Sequence, residues 1–192
     1  KLDELVAIAF AVETKVEGVT DASEALTHFF FDRLRVMMRE AGYSAQEVDA
    51  VLAKHDTDLA QTPKKLAAVH KFMQLPESAS LAAANKRIAN ILKKSADVQT
   101  GEVDDALLVE EAEKKLYDVL GDHEPIAKLF FEKGEYEGML ATLTPLKDPV
   151  DAFFADVMVN SEDEKLRLNR LALLKRLYAL MNRVAELSRL AI

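Results

Sequence analysis

The stretch that decides the fold of this chain is residues 81–94, Leu-Ala-Ala-Ala-Asn-Lys-Arg-Ile-Ala-Asn-Ile-Leu-Lys-Lys. On a helical wheel of about 100° per residue, one face is apolar and carries Leu81, Ala84, Ile88, Ile91 and Leu92. The other face is polar and carries Lys86, Arg87, Asn90, Lys93 and Lys94. This separation predicts an amphipathic helix with one side on a core and the other open to solvent or to a partner. Asn85 falls beside the apolar arc, so we expect it to bond within the fold.

Helical spacing of apolar residues continues along almost all of the 192 residues, and no segment alternates like a β-strand. We predict helices over 2–17, 21–41, 44–54, 63–74, 77–94, 104–120, 123–133, 135–146, 148–159 and 162–190. The signals at their ends are capping boxes at Ser44/Glu47 and Ser161/Glu164, an N-cap at Thr62 before Pro63, and C-terminal glycines at Gly42 and Gly121. We therefore predict an all-α fold, divided near Pro76 into a smaller helical segment (1–75) and a helical bundle (76–192).

The composition, 49% hydrophobic and 30% charged, is typical of a globular protein. Cysteine is absent, which excludes disulfides and thiolate metal sites and is compatible with a reducing cytoplasm. The apolar stretches are too short for a membrane span. Because the first residue is Lys1 rather than Met, we expect the chain to begin inside a longer protein.

The charge of the chain is unevenly distributed. A net charge of −8 argues against a generic nucleic-acid binder. However, segment 81–100 carries four bases, segment 161–192 carries seven bases against four acids, and segment 101–124 carries nine acids against two lysines. Two basic helices on an acidic chain predict local binding of RNA, with the acids keeping RNA off the remainder. The alternative is that each basic face is an ordinary solvated helix surface.

The last predicted helix has an apolar seam formed by Leu166, Leu173, Leu177, Leu180, Val184 and Leu187. The opposite face carries Lys165, Asn169, Arg176 and Arg183. Arg167 and Arg170 fall within the apolar arc instead. Because an uncompensated buried charge is costly, two such arginines indicate either an internal ion-pair network or the lip of a pocket. We favour the network.

Histidine placement raises the alternative of an enzyme. His55-Asp56 is the dipeptide of HD phosphohydrolases, and His28 with Asp32 has the i, i+4 spacing of a helical metal pair. The other histidines, His70 and His123, have no matching partners, so we expect neither a metal site nor a catalytic centre. We expect His28 to pack beside Phe29–Phe31, and His55 to act as a cation at a helix C-terminus.

Two blocks of the sequence resemble the C-terminal region of the glycyl-tRNA synthetase β chain. The first is residues 81–94, and the second is Val150–Val159 followed by Glu164–Leu174. That region is a DALR-type anticodon-binding domain, also found in arginyl-tRNA synthetases. The four-residue DALR motif that gives this domain its name corresponds here to Glu164-Lys-Leu-Arg167. Its third and fourth residues, Leu and Arg, are kept, and the first two differ. Phe30–Arg35 with Gly42-Tyr43 is similar to the β chain just before this domain. The similarity covers essentially the whole chain, and Leu187–Ile192 looks like a natural C-terminus.

The resemblance implies a bundle that grips the anticodon arm of tRNA-Gly in the cytoplasm, with no role for membrane or DNA. It implies an α subunit as partner in an α2β2 assembly, where that subunit uses ATP and Mg²⁺ to attach glycine to tRNA. No cofactor is expected in this fragment. The alternative is a helical subunit-interaction module, docking through its apolar seams without direct RNA contact.

The second and third anticodon letters of tRNA-Gly are both cytosine, which offers an N4 amino donor and O2 and N3 acceptors when unpaired. The basic helices can supply hydrogen-bond donors for O2 and N3. The sequence does not identify the residue that accepts a hydrogen bond from the N4 amino group. We expect tRNA contacts from Lys86, Arg87, Asn90, Lys93, Lys94, Arg170, Arg176 and Arg183. We expect Arg167 to be structural, buried and bonded either to a carboxylate, with Asp151 and Asp156 as candidates, or to carbonyl groups at a helix end.

Overall fold

The computed structural model of the protein describes residues 1–13 and 21–191. Over these ranges it contains α-helices, short 3-10 turns and no strand, which confirms the all-α prediction. Residues 14–17 of the first predicted helix, and Ile192, lie outside the described residues. The helices are α1 (Leu2–Glu13), α2 (Ser23–Glu40), α3 (Ala45–Leu52), α4 (Thr62–Phe72), α5 (Ser78–Lys94), α6 (Glu111–Glu132), α7 (Tyr136–Ala141), α8 (Lys147–Asp156) and α9 (Glu164–Met181).

Two of the predicted helix-end signals are confirmed. The Ser44 hydroxyl accepts a hydrogen bond from the Glu47 N–H at 3.2 Å, and the Glu47 carboxylate accepts one from the Ser44 N–H at 2.7 Å. After α2, Gly42 has a φ of 100°, which a residue with a side chain rarely adopts. The glycine therefore turns the chain sharply between α2 and α3.

The predicted caps of α4 and α9 are wrong by one or two residues. Asp163, not Ser161, caps α9, and its carboxylate accepts from the N–H groups of Lys165 and Leu166. Aspartate is among the strongest capping residues, and here it lies closer to the first helical turn. Thr62 already has helical backbone angles, because the 3-10 turn Leu59–Gln61 leads directly into α4.

Helix α6 runs unbroken where two helices, 104–120 and 123–133, are predicted. Gly121 therefore lies inside a helix rather than at a C-terminus, and Pro125 lies inside with it. A proline inside a helix removes the hydrogen bond to the carbonyl four residues earlier, here that of Gly121, and its ring crowds that carbonyl. Leu120 and Ala127 are fully buried on either side of this point, so packing supports the helix through the missing bond.

Helix α9 ends at Met181, well before the predicted end at residue 190. The buried Asn182 ends it: its side chain donates to the Tyr178 carbonyl and accepts from the Leu187 N–H at 2.8 Å. The chain then turns toward α3, where the Glu186 N–H donates to the Ala50 carbonyl at 2.8 Å. A 3-10 turn, Leu187–Leu190, packs against both α5 and α3.

The core of buried apolar side chains draws on helices from both sides of Pro76. The inner face of α5 (Leu81, Ile88) and the seam of α9 (Leu173, Leu177) are fully buried in it. Helix α4 packs on α7, and α3 packs on the last 3-10 turn. The division near Pro76 stays a prediction. In the described ranges, no helix is long and apolar enough to cross a membrane.

Candidate nucleic-acid interface

The outer face of α5 is open to solvent along its C-terminal half. Its members, which we call the basic face, are all exposed: Lys86, Arg87, Asn90, Lys93 and Lys94. The predicted amphipathic character of α5 is therefore confirmed. Ala83 and Ala89 have small side chains on this side of the helix, whereas Ala82 is fully buried.

A groove runs beside the basic face and has a volume of about 430 Å³. Its lining contains cationic, amide, hydroxyl and aliphatic groups but no carboxylate: Ala83, Lys86, Arg87, Asn90, Ile91, Lys94, Ser95 and Asn160. Four of the five predicted α5 contacts thus meet in one concavity, and Lys93 lies outside its lining. Asn160, which follows α8, reaches the groove from a different part of the chain.

Arg87 is held over an aromatic ring at the edge of this groove. Its guanidinium carbon lies 4.2 Å from the ring centre of Phe154, a half-buried residue of α8. The Phe154 ring in turn meets the ring of the fully buried Phe153 edge-on, with centres 5.5 Å apart. A cation this close to an aromatic face is attracted by the ring quadrupole, so Arg87 has a defined position despite its exposure.

The cations of the basic face differ from other surface cations of the described residues in their pairing. In the described ranges, none of its lysine or arginine side chains lies within salt-bridge distance of a carboxylate. Elsewhere on the surface the pairing differs: Lys147 lies 2.9 Å from Asp148 and 3.1 Å from Asp151. The basic face therefore keeps its positive charge free for an anionic ligand.

A second arginine site lies inside the protein, near the start of α9. Arg170 is 5% exposed; its Nε donates to Glu113 Oε1 at 2.5 Å and its guanidinium donates to the Met158 carbonyl at 2.9 Å. The other Glu113 oxygen accepts from the N–H groups of Val109 and Glu110. This buried cluster joins α9, the start of α6 and the chain after α8, which gives the predicted internal network.

The burial of the two arginines therefore differs from the prediction, because Arg170 is the enclosed one and Arg167 is not. Arg170 is enclosed and paired, which argues against its predicted contact with tRNA, and that contact stays a prediction. Arg167 has a side chain 39% exposed and only a 3.7 Å approach to Glu164, so its predicted burial is wrong. The wheel failed because α9 is covered on nearly every side beyond its first turns. Asp151, offered as a partner for Arg167, accepts instead from Ser80.

The other polar residues of α9 lie apart from the groove. Asn169, predicted on the solvent side, is buried and bonds both the N–H and the carbonyl of Asp104. Arg176 donates to Glu124 at 2.9 Å and lies over Tyr117, while Arg183 lies 5.7 Å from the ring centre of Phe131. Both arginines are half-buried against α6, and their contact with RNA stays a prediction.

Several site residues escaped the sequence reasoning. No sequence signal marks Asn160 or Ser95, because their place at the groove depends on how α8 meets α5. The adjacent phenylalanines 153 and 154 predict one inward and one outward ring, which is a weak indication of the Phe154 platform. Asn85 is fully buried as expected, but its predicted bond within the fold is not found, since no described group hydrogen-bonds its side chain.

The four histidines bear on the alternative of a metal-dependent enzyme. Among residues 1–13 and 21–191, no group of three His, Cys, Asp or Glu side chains could hold a metal ion. His55 lies just beyond the end of α3 with its ring against Phe31, and Asp56 pairs with Lys65. His28 is exposed and 4.0 Å from Glu24, so its predicted packing beside the phenylalanines is wrong.

The fold and the site define an all-helical domain that presents an unpaired basic face beside a carboxylate-free groove. The model of the DALR anticodon binding domain matches residues 81–187, which include the whole basic face. The chain belongs to this family.

The chain is also similar to proteins named glycine–tRNA ligase beta subunit. It is 55% identical to the one from Leptothrix cholodnii over 94% of this chain and 25% of that protein. It is 50% identical to the one from Dechloromonas aromatica over 99% of this chain and 27% of that protein. It is 52% identical to the one from an Acidovorax species over 96% of this chain and 26% of that protein. The chain thus spans about a quarter of the length of these relatives.

Proposed function

We propose that this chain is the tRNA-recognition module of a glycine–tRNA ligase β subunit, and that the basic face of α5 binds the anticodon arm of tRNA-Gly. The observation that carries the proposal is the set of unpaired cations around a groove without carboxylates, inside the residues matched by the anticodon-binding family. Lysine and arginine suit phosphate oxygens, whereas amide side chains suit base edges.

The acidic remainder of the chain limits binding to this face. The net charge is −8, and the exposed start of α6 carries Glu110, Glu111 and the nearby Asp105. Phosphates approaching there meet like charge, whereas phosphates approaching α5 meet Lys86, Arg87, Lys93 and Lys94. Local attraction against a repelling background supports one orientation of the RNA rather than non-specific coating.

Within a whole enzyme, the module supports attachment of glycine to tRNA-Gly in the cytoplasm. The chemistry, with ATP and Mg²⁺, belongs to an α subunit in an α2β2 assembly. In this proposal the chain supplies RNA binding, and the catalytic residues and cofactors of the reaction belong to the partner subunit.

A second candidate function is a subunit-interaction module without RNA contact. It does not rest on the α9 seam, which is covered by the core of the chain itself. Exposed apolar side chains on the first two helices favour it: Leu5, Ile8, Phe29, Phe30 and Met37. Leu5 and Phe30 line one open cavity. Because exposed apolar surface that lines a groove marks a contact site, this end of the chain suits a protein partner.

Binding of the chain to a tRNA-Gly transcript tests the proposal. The control is the same transcript with both anticodon cytosines replaced. We expect tighter binding to the native anticodon, and a log–log salt slope of about −0.7 to −0.9 for each phosphate contact. Equal binding of both transcripts, or a flat salt response, would contradict the proposal, and no binding of either transcript would favour the interaction module.

A further inference from the structure

Arg87 combines exposure at the groove with a contact to an aromatic ring. It is exposed and lines the groove, yet its guanidinium lies 4.2 Å from the Phe154 ring centre, well inside the roughly 6 Å range of cation–π attraction. A free arginine loses much side-chain entropy when a ligand orders it. An arginine already stacked on a ring has lost part of that freedom before the ligand arrives.

We infer that the groove takes one unstacked nucleobase of a single-stranded RNA, with the Arg87 guanidinium as its stacking surface and Phe154 as the residue that positions Arg87. This inference rests on the proposed function and names the part of the RNA that enters the site. A guanidinium is planar and weakly hydrated, so it can stack on a phenyl ring while its remaining surface meets a base. The groove volume of about 430 Å³ lies within the usual range of small-ligand sites, roughly 300–1,000 Å³.

The groove also supplies groups for the edge of that base. Asn90 and Asn160 each offer an amide donor and acceptor, and Ser95 offers a hydroxyl. Since no carboxylate lines the groove, the acceptor for a cytosine amino group is an amide or hydroxyl oxygen. Arg87 and the lysines Lys86 and Lys94 supply donors for the base acceptors and the flanking phosphates.

Phe154 differs from its neighbour in a way that fits a positioning role. Phe153 is fully buried and packs in the core, whereas Phe154 is half-buried and has Arg87 over its ring. The edge-on contact between the two rings, with centres 5.5 Å apart, fixes the platform to the core. Removing the Phe154 ring therefore leaves the core residue in place but releases Arg87.

The test uses Arg87→Lys, which keeps the positive charge but removes the planar guanidinium. It also uses Phe154→Leu and Phe154→Met, which keep an apolar side chain but remove the aromatic ring. Phe154→Tyr keeps the ring, and Lys93→Ala removes a charge outside the groove lining. The readout is the ratio of the dissociation constants for tRNA-Gly and for the transcript with replaced anticodon cytosines, with a melting curve for each variant.

We expect Arg87→Lys, Phe154→Leu and Phe154→Met to lower this preference on the order of 10-fold, and Phe154→Tyr and Lys93→Ala to preserve it. In an Arg87→Lys background, Phe154→Leu should have no further effect. A parent chain without anticodon preference would overturn the proposed function and this inference together. The inference alone would be overturned if the parent shows the preference and the Arg87→Lys variant keeps it. The same holds if a folded Phe154→Leu or Phe154→Met variant keeps the preference.

Discussion

The basic face of α5 and the Arg170 cluster of α9 show two opposite uses of positive charge. On α5, the cations are exposed and have no acidic partner among the described residues. In α9, Arg170 is enclosed and bonded to the fully buried Glu113. The first arrangement leaves charge available for a ligand, and the second uses charge to join helices. Exposure and pairing, rather than the number of bases in a helix, separate a binding surface from a structural joint.

Removal of the Arg170 side chain is expected to have the largest effect on stability. Arg170→Ala leaves the Glu113 carboxylate buried without its cation, and breaking a buried pair costs about 3–5 kcal/mol. Chemical denaturation should show this decrease in the free energy of unfolding. A variant that unfolds like the parent but no longer binds tRNA would instead move Arg170 into the recognition surface.

Removal of the Arg87 side chain should affect binding rather than folding. Arg87→Ala is expected to weaken binding of tRNA-Gly by about 1–3 kcal/mol if Arg87 contacts a base. Its melting temperature should stay close to that of the parent, because the substitution removes only the stacking of Arg87 on Phe154. Titration of labelled tRNA, beside a melting curve, measures both quantities. Unfolding of this variant would contradict the assignment of Arg87 to the surface.

The lysines of the basic face are expected to give smaller, sequence-independent effects. Lys93→Ala and Lys94→Ala should each reduce the magnitude of the log–log salt slope by about 1 if the lysine neutralises one phosphate of the RNA. The preference for the native anticodon should be unchanged by Lys93→Ala, since Lys93 does not line the groove. Lys133→Ala, just beyond the end of α6, serves as an exposed control and should leave the slope as it was.

Arg167 provides the matched partner for the Arg170 experiment. Its side chain is 39% exposed, and its only carboxylate neighbour within the described residues, Glu164, lies 3.7 Å away. A surface pair of this kind contributes about 0–1 kcal/mol, so Arg167→Ala should unfold almost like the parent. A destabilisation as large as that of Arg170→Ala would show that the two arginines share one network.

The smallest effect concerns the far end of α9, where burial and the hydrogen bond donated to Glu186 raise the pKa of Tyr178 to about 12. Between about pH 10 and 12 the folded state holds this proton while an unfolded tyrosine loses it, so the stabilising contribution is present below pH 10 and is lost as the pH rises through that window. Absorbance titration should show one phenol ionising near pH 12. In a Tyr178→Phe variant this late transition should disappear.

The two helices also differ in how well the sequence predicted them. On α5, the apolar arc is covered and the polar arc is exposed, so the wheel correctly separated the two faces. On α9, side chains on almost every side are buried, including Asn169 and Arg170, so no single arc marks the inside. The spacing of apolar residues identifies the buried side of a helix that has one buried face. It does not do so for a helix that is buried on almost every side.

The remaining errors arise from tertiary packing that local signals do not record. Gly121 predicts a break, but buried neighbours carry α6 through it. Asn182 ends α9 through a bond to Leu187, five residues later, which spacing of apolar residues does not reveal. Asn160 reaches the groove only because α8 packs beside α5. These features depend on packing between segments that are distant in the sequence.

Lysine-reactivity footprinting tests the central claim, that the basic face of α5 is where RNA binds. The chain is acetylated with and without saturating tRNA-Gly, and each lysine is quantified by mass spectrometry. We predict protection of Lys86, Lys93 and Lys94, with Lys115 and Lys133 on α6 and the adjoining turn reacting equally in both samples. Unchanged reactivity of the three α5 lysines in a sample where tRNA is bound would contradict the account.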